Sequence, residues 1–222
     1  MENATRIAIC IPLYGGTSAV WVSNLVELVF AFLHDPAFEI QVLTNHSCPV
    51  AEARNRMIFQ LRKQKEETGW APDAVLWLDS DNLVAKEQAA QLVSDGCDIV
   101  SALYFSRKAP HHPVAMQSIP GRKNKRWMDG YKKGALQETE IVGMGCCLMK
   151  WAVLEKMMES HTHPFGFTPV IGDGGNPTFQ SEDVVFCEHA RALGFKIFLD
   201  ARVVSGHIGG VVGEKDFEPG RE

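Results

Sequence analysis

Two carboxylates separated by one residue, Asp79 and Asp81, directly follow the apolar run at residues 75–78. Neighbouring side chains of an extended chain point to opposite faces, so these two carboxylates share a face if strand geometry continues through Ser80. Charges at the end of a buried strand are costly unless something positive meets them. Because hard divalent cations take oxygen ligands, the pattern fits a cation site that carries a phosphorylated ligand. A turn or a helix cap, which also favours Asp, Ser and Asn, is the alternative.

A histidine and an acidic pair further along the chain carry side chains that suit the same site. His207 stands in a glycine-rich segment after the last predicted strand, and an imidazole with two carboxylates suits Mn²⁺, which accepts both ligand types. A lone histidine there would otherwise be structural. Glu182 and Asp183 begin a predicted helix, where acids complement the positive end of the helix dipole. Alternatively, one of these carboxylates faces the cleft as a general base that deprotonates a hydroxyl.

Residues 106–134 form a loop-like segment, rich in Pro, Gly and His, with no helical period and a single acid, Asp129. Trp127 and Tyr131 are interleaved with its basic residues. A solvated basic loop is one interpretation. The other is a loop that binds phosphates or stacks on a ring beside the cation site. The basic side chains are Arg107, Lys108, Arg122, Lys123, Lys125, Arg126, Lys132 and Lys133.

The pair Gly143 and Gly145 has the spacing that begins a dinucleotide-binding fingerprint, but Leu148 stands where the third glycine is needed. The fingerprint is therefore a weak interpretation of this segment. More simply, glycines lack a Cβ and let the backbone pass close to a ligand or to another segment of the chain.

Apolar runs and helical patterns alternate along the first half of the chain. Such alternation predicts crossover units and a mostly parallel sheet, in which ligands bind outside the carboxyl ends of the strands. The turns at residues 14–16, 44–46 and 79–81 would then share one edge, which favours the cation site over a simple turn. We predict strands at residues 6–13, 39–44, 74–78, 98–104 and 196–200, extended chain at 136–150, a loop at 161–180, and helices at about 17–33 (capped by Thr17 or Ser18), 50–67, 86–94, 151–159 and 181–193.

The composition is that of an ordinary globular protein, with 45% apolar and 22% charged residues among 222. This length suits one domain with one sizeable core. A net charge of −5 gives no general reason to expect a nucleic-acid or membrane partner. The most apolar stretch, residues 25–33, is too short to span a bilayer, and no signal peptide is visible. Six cysteines without a metal-ligand spacing are expected to be reduced, as in a cytosolic protein.

Taken together, these residues resemble the glycosyltransferases of the GT-A fold, especially the family 2-like group and the short versions found in phages and large viruses. The matching motifs span nearly the whole chain: residues 9–16, 53–55, 78–81, 142–146, 181–183 and 206–207. The resemblance implies an α/β, Rossmann-like fold with a mostly parallel central sheet flanked by helices. It also implies a single domain over residues 1–222, in which about 1–105 bind the nucleotide and about 106–210 hold the acceptor and the catalytic groups.

The resemblance implies a role for each matching position. Asp183 would be the catalytic base, supported by Glu182. Asp81 and His207 would ligate Mn²⁺ or Mg²⁺, with Asp79 on the ribose or diphosphate side or as a further ligand. The nucleotide sugar would contact Pro12, Tyr14, Gly15, Thr44, Arg54, Asp79, Ser80, Gly143 and Gly145. A loop that binds the acceptor or its phosphates would comprise Arg122, Lys123, Lys125, Arg126 and Trp127.

The predicted function is metal-dependent transfer of a sugar from a nucleotide sugar, such as a UDP- or GDP-sugar, to a hydroxyl acceptor. The acceptor would be a glycan, a small molecule or the hydroxymethylated bases of phage DNA. The Gln-x-x-Arg-Trp element of processive members is absent, which argues against a membrane polysaccharide synthase. The expected location is the cytoplasm, that of the host if a phage or virus encodes the chain. A nucleotidyltransferase that releases pyrophosphate and a catalytically silent nucleotide-binding module are the alternatives.

Overall fold

The computed structural model describes residues 4–13, 15–118, 125–171 and 175–209. Its helices are α1 (Ala19–Leu33), α2 (Val50–Thr68), α3 (Lys86–Ser94), α4 (Trp151–Ser160) and α5 (Glu182–Ala192). Its strands are β1 (Thr5–Leu13), β2 (Phe38–His46), β3 (Ala74–Leu78), β4 (Asn82–Leu83), β5 (Ile99–Leu103), β6 (Ala115–Ser118), β7 (Lys125–Trp127), β8 (Leu136–Thr139), β9 (Ile141–Val142), β10 (Cys146–Lys150), β11 (Thr168–Ile171), β12 (Pro177–Gln180), β13 (Ile197–Val204) and β14 (Gly206–His207).

Seven of these strands form the central sheet, in the order β2-β1-β3-β10-β5-β13-β8. Five of the seven run in one direction, whereas β10 and β8 run antiparallel to their neighbours. Alternate residues of a strand face opposite sides, so Ile7 and Ile9 pack with α1 and α3, while Ala8 packs with α2, α4 and α5. Helices therefore cover both faces of the sheet, as expected for strands that are apolar along their length.

The predicted order of strands and helices is confirmed in the first half of the chain. The predicted bounds of β3 and α3 are those of the structure, and the other predicted elements of this half differ by one or two residues at an end. The two-residue strand β4 was not predicted. Ser18 is the cap of α1, because its hydroxyl accepts a hydrogen bond from the backbone N–H of Trp21 at 3.1 Å. At the end of α2, Gly69 has a φ of +77°, a left-handed conformation that glycine adopts without strain.

Two segments that the sequence predicted as loops contain strands. In residues 106–134, β6 pairs with β7 and with β9 to form a small three-stranded sheet. In residues 161–180, β11 and β12 form an antiparallel pair. These strands are three or four residues long and show no clear alternation of apolar and polar residues. Their partner strands, rather than their own local pattern, hold them extended.

The carboxyl edge of the sheet collects segments that are far apart in sequence. The strands β2, β1 and β3 lie side by side, and Asp79 follows β3 directly. The short strands β14 and β4 pair so that His207 lies opposite Asn82, the residue after Asp81. The backbone N–H of Asp79 donates to the carbonyl of Gly145 at 2.8 Å. The acidic motif, the glycine segment and His207 therefore meet at one edge of the sheet.

Among the residues in these described ranges, no helix is both long enough and apolar enough to cross a membrane. All six cysteines lie in described segments, and none of them forms a disulfide. Four of them, Cys10, Cys146, Cys147 and Cys187, are buried and pack as small apolar side chains in the core.

Candidate active site

A buried arginine on α2, Arg54, joins three carboxylates at the carboxyl edge of the sheet. Its Nη1 donates to Oε1 of Glu182 at 2.7 Å and to Oδ1 of Asp183 at 2.9 Å. Its Nη2 donates to Oδ1 of Asp79 at 2.9 Å. The side chain is only 1% exposed, and its guanidinium carbon lies 5.5 Å from the centre of the Phe165 ring. We call Arg54, Asp79, Glu182 and Asp183 the arginine cluster.

The arginine cluster contains one guanidinium and three acids, so its positive charge cannot balance three ionised carboxylates. Burial raises the pKa of Asp183 to about 7; the nearby Glu182 and Asp79 add to this rise, while the charge of Arg54 opposes it. Burial also raises the pKa of Asp79, again against the charge of Arg54 and with repulsion from Asp81. A carboxyl group with a pKa near 7 is suited to accept a proton at neutral pH.

The start of α5 presents its acids to Arg54 rather than serving only the helix dipole. Ser181 occupies the cap position, but its side chain makes no capping hydrogen bond. Glu182 is buried against Arg54, and the side chain of Asp183 is 23% exposed. The second oxygen of Asp183 lies 3.4 Å from the backbone N–H of Met144, which donates to it. The glycine segment and Arg54 together orient this carboxylate.

Asp81 lies in a different environment, which we call the edge site, with His207 and Arg107. Its Oδ2 lies 2.9 Å from Nη1 of Arg107 and 3.5 Å from Nε2 of His207. Burial alone would raise the pKa of Asp81, but the hydrogen bond and charge of His207 and the charge of Arg107 outweigh it and lower the pKa. Asp81 is therefore an ionised carboxylate.

His207 is held in an orientation that suits a metal ligand. Its Nδ1 lies 2.7 Å from the carbonyl oxygen of Phe105, and since a carbonyl only accepts, Nδ1 carries the proton that is donated. When the ring is protonated, Nε2 donates to Asp81; loss of that proton leaves on Nε2 a lone pair that a cation can take. A backbone carbonyl that fixes the tautomer of a ligating histidine in this way is a frequent feature of metal sites.

The donor set at the edge site fits Mn²⁺ or Mg²⁺ with two protein ligands. One carboxylate and one imidazole suit Mn²⁺ better than Mg²⁺, which prefers oxygen alone. Asp79, the third predicted ligand, accepts a hydrogen bond from Nη2 of Arg54 and lies in the arginine cluster. In the part of the chain that the structure describes, no group of three or more His, Cys, Asp or Glu side chains is arranged to hold a metal ion. The remaining ligands would come from phosphate oxygens and water.

A cavity of about 480 Å³ connects the arginine cluster with the edge site, a size typical of small-molecule sites. Of the residues predicted to bind the nucleotide sugar, Thr44 and Gly15 are exposed at this edge but are not part of its wall, and Tyr14 lies outside the described residues. A recess of about 520 Å³ between α2 and α4 contains none of the predicted site residues. The wall of the first cavity consists of Pro12, Pro49, Val50, Asp79, Ser80, Asp81, Arg107 and Glu182.

Gly143 and Gly145 are required by close packing against buried polar side chains. A Cβ on Gly143 would lie 2.0 Å from the hydroxyl oxygen of Tyr104, and one on Gly145 would lie 2.4 Å from Oδ1 of Asn82. The backbone N–H of Gly145 donates to the Tyr104 hydroxyl at 3.0 Å. The glycines thus let the backbone pass close to another segment, which is one of the two possibilities that the sequence left open.

The basic segment is only partly described, and its described members have separate partners. Arg122 and Lys123 lie outside the described residues. Lys125 lies 3.0 Å from Glu188 and 3.6 Å from Glu140, whereas Arg126 is exposed. The predicted phosphate loop is thus represented by one paired lysine and one exposed arginine.

Trp127, the aromatic member of that predicted loop, stacks on His112, with ring centres 5.5 Å apart and 6° between planes.

The sequence did not predict the contact of Arg107 with Asp81 or the contacts that Tyr104, Asn82 and Phe165 make at the site. Arg107 belongs to the basic segment at residues 106–134, but no sequence pattern predicted that it would contact Asp81. The other three stand in apolar or turn positions without a local signal.

No protein-family model and no curated protein matches this sequence. Among solved structures, A197 from STIV is similar with a TM-score of 0.60 and 18% identity, covering 92% of this chain and 86% of that one. The catalytic domain of Drosophila beta1,4galactosyltransferase 7, in complex with xylobiose, has a TM-score of 0.52 and 12% identity, covering 92% of this chain and 71% of that one. At such identities the likeness shows the fold. The predicted glycosyltransferase-type α/β fold is thereby confirmed.

Proposed function

We propose that the chain is a divalent-cation-dependent glycosyltransferase, which moves a sugar from a nucleoside diphosphate sugar to a hydroxyl acceptor. The observation that carries this proposal is the arrangement of the arginine cluster and the edge site around one cavity. An ionised carboxylate with a histidine suits a cation, and a carboxyl of pKa about 7 suits a base. The fold shared with a galactosyltransferase catalytic domain supports the same chemistry by analogy.

At the edge site, Asp81 and His207 would hold Mn²⁺ or Mg²⁺ against the diphosphate. The cation would act as a Lewis acid that stabilises the negative charge of the departing nucleoside diphosphate. Arg107, whose side chain is 56% exposed and lies in the cavity wall, brings a second positive charge to the same phosphates. Pro12 and Pro49 form apolar wall on the side where the nucleotide base would lie.

In the arginine cluster, Asp183 would take the proton from the acceptor hydroxyl. The acceptor oxygen then forms a bond to the anomeric carbon of the sugar, the bond from that carbon to the diphosphate breaks, and the nucleoside diphosphate leaves. Arg54 holds Asp183 by a 2.9 Å hydrogen bond and stabilises its ionised form. Glu182, held by the same guanidinium at 2.7 Å, keeps the start of α5 in place.

The nucleotidyltransferase alternative differs in its use of the two aspartates. It would place Asp79 and Asp81 on one cation for attack on the α-phosphate of a nucleotide. In the structure Asp79 is held by Arg54 and Asp81 by Arg107 and His207, so the two acids have different partners. This separation favours sugar transfer, with one cation held by Asp81.

Isothermal titration calorimetry with UDP and GDP, with and without Mn²⁺, tests the proposal. We expect at least one nucleotide to bind in a Mn²⁺-dependent way to the native protein and to Asp98→Asn, a control that alters a surface carboxylate paired with Lys150. Product analysis with the corresponding nucleotide sugars should then show a nucleoside diphosphate. Absence of any Mn²⁺-dependent binding, or release of pyrophosphate from a nucleoside triphosphate, would count against sugar transfer.

A further inference from the structure

A second cavity, of about 80 Å³, is also lined by residues from the start of α5. Glu182 belongs to the wall of the larger cavity, and Asp183 belongs to the wall of the smaller one. The candidate base thus faces a space other than the one that Asp79, Asp81 and Arg107 surround. Its lining includes Val114, Met116, Trp127, Val142, Asp183 and Val184, and we call it the apolar cavity.

The chemistry of the apolar cavity is the opposite of that of the larger one. Its wall is formed almost entirely by apolar atoms, and Asp183 is the one charged residue among the described residues that line it. A phosphate there would meet a carboxylate and no lysine or arginine of the lining. A neutral group with an apolar surface and one hydroxyl would bury its apolar part and place the hydroxyl near Asp183.

The basic side chains near the apolar cavity do not change this conclusion. Lys125, on the same strand as Trp127, lies 3.0 Å from Glu188 and 3.6 Å from Glu140. Glu140 also receives a hydrogen bond from Arg191 at 3.0 Å. The charge of Lys125 is therefore balanced by acids, and the neighbourhood offers no described cluster of free cations for a polyanion.

The volume of the apolar cavity limits the size of the group that can bind in it. A buried cavity of about 150 Å³ holds a benzene molecule, so a space of about 80 Å³ takes part of a six-membered ring and leaves the rest outside. Val114, Met116, Val184 and Trp127 are half-buried, so the cavity reaches the protein surface. The flat indole of Trp127 gives the C–H face of a pyranose a surface to lie against.

We propose that the apolar cavity receives the acceptor, and that the acceptor is a pyranoside. Its reacting hydroxyl faces Asp183 while its C–H face lies on Trp127 and Val184. This inference rests on the proposed function and adds the class of acceptor. It disfavours the hydroxymethylated bases of DNA, whose phosphates the described lining does not match.

Saturation-transfer NMR with methyl β-glucopyranoside, β-galactopyranoside, β-mannopyranoside and β-xylopyranoside, in the presence of UDP and Mn²⁺, tests the inference. We expect at least one of them to show contacts through its ring C–H protons. Val184→Phe fills the cavity and should weaken that binding at least about tenfold, since even one extra methylene in an apolar pocket is worth about 10- to 200-fold. Val26→Phe makes the same change on the exposed face of α1 and should bind as the native protein does.

Trp127→Ala provides a second variant, which removes the stacking surface without filling the cavity. We expect it to weaken pyranoside binding as well, while both variants keep Mn²⁺-dependent UDP binding and so prove to be folded. Pyranosides that do not bind, or that bind equally to Val184→Phe and Val26→Phe, overturn the inference. So does sugar transfer to hydroxymethylcytosine duplex DNA that Val184→Phe leaves unchanged. Failure of the native protein to bind either UDP or GDP with Mn²⁺ would instead overturn the proposed function.

Discussion

The arginine cluster and the edge site contain aspartates only two positions apart, yet the two environments are different. Asp79 shares a buried guanidinium with two other acids, and its pKa is raised by burial. Asp81 faces an exposed arginine and a histidine, and its pKa is lowered. In the first region the positive charge is fixed inside the fold, whereas in the second it is a side chain that a metal ion can replace. One motif thus places its two carboxylates in two separate environments.

In the proposed function, this difference separates the residue that accepts the proton from the residue that holds the cation. The carboxyl that is poised near neutral pH, Asp183, belongs to the region with too few positive charges. The carboxylate that stays ionised, Asp81, belongs to the region where cations collect. An enzyme that must accept a proton from one substrate and hold the phosphates of another needs both conditions at neighbouring positions.

Asp183→Asn should have the largest effect of the variants that distinguish the two regions. It removes the proposed proton acceptor while keeping the shape of the side chain. We expect the rate of sugar transfer to fall by about 10²- to 10⁴-fold, the contribution of a general base. UDP binding with Mn²⁺ should persist, because it depends on the edge site. Glu188→Gln on the same helix is the matched control, and a comparable loss of rate there would contradict the assignment.

Arg54→Lys tests whether the arginine cluster sets the pKa of Asp183. Arg54 lowers the pKa of Asp183, and a single ammonium cannot hydrogen-bond to three carboxylates as the guanidinium does. The transfer rate of the native protein should rise with pH through about 7, as Asp183 loses its proton. In Arg54→Lys this rise should move to higher pH. A pH profile of kcat/KM measures the shift, and an unmoved profile would show that Arg54 does not tune the base.

The stability of the protein should also depend on the protonation of Asp183. Its pKa is raised in the folded state, so the folded protein holds this proton more tightly than the unfolded chain does between pH 3.8 and about 7. This contribution to stability is therefore present at low pH and is lost as pH rises through about 7. Asn mimics the protonated acid, so Asp183→Asn should lose less stability than the native protein between pH 5 and pH 8. Thermal unfolding at these values shows whether the two curves diverge in that direction.

Arg107→Gln should have the smallest effect, at the edge site. Arg107 pairs with Asp81 at 2.9 Å and competes with a metal ion for that carboxylate. Because exposed ion pairs are worth about 0.2–1 kcal/mol, removal of the charge should tighten Mn²⁺ binding without nucleotide by up to about fivefold. Titration of Mn²⁺ into the nucleotide-free protein measures this change. Weaker Mn²⁺ binding by the variant would contradict competition.

The sequence predicts much of this arrangement because several determinants are local. The apolar runs of β1 and β3 and the helical periods of α1 and α2 are properties of neighbouring residues, and they place the Asp79–Asp81 motif at a strand end. Parallel strand order then predicts which turns meet. The short strands β6, β7, β11 and β12 were missed, because their extended form depends on partner strands.

The arginine cluster itself was beyond a reading of local patterns. Arg54 lies 128 positions from Glu182 in the chain, so only the folded structure joins them. The sequence suggested Arg54 as a contact of the nucleotide sugar and Asp79 as a possible metal ligand. The three-dimensional contacts show why both acids of the motif need not bind the same cation: the guanidinium already neutralises one of them.

Mn²⁺ binding by Asp81→Asn and by Asp79→Asn, followed by electron paramagnetic resonance in the presence of UDP, tests the central claim most directly. If the cation belongs to the edge site, Asp81→Asn should bind Mn²⁺ at least about tenfold more weakly, in line with the effects of altering metal-site residues. Asp79→Asn, whose amide oxygen can still accept from Arg54, should keep Mn²⁺ binding. Equal loss in both variants, or normal Mn²⁺ binding by Asp81→Asn, would contradict the separation of the two aspartates.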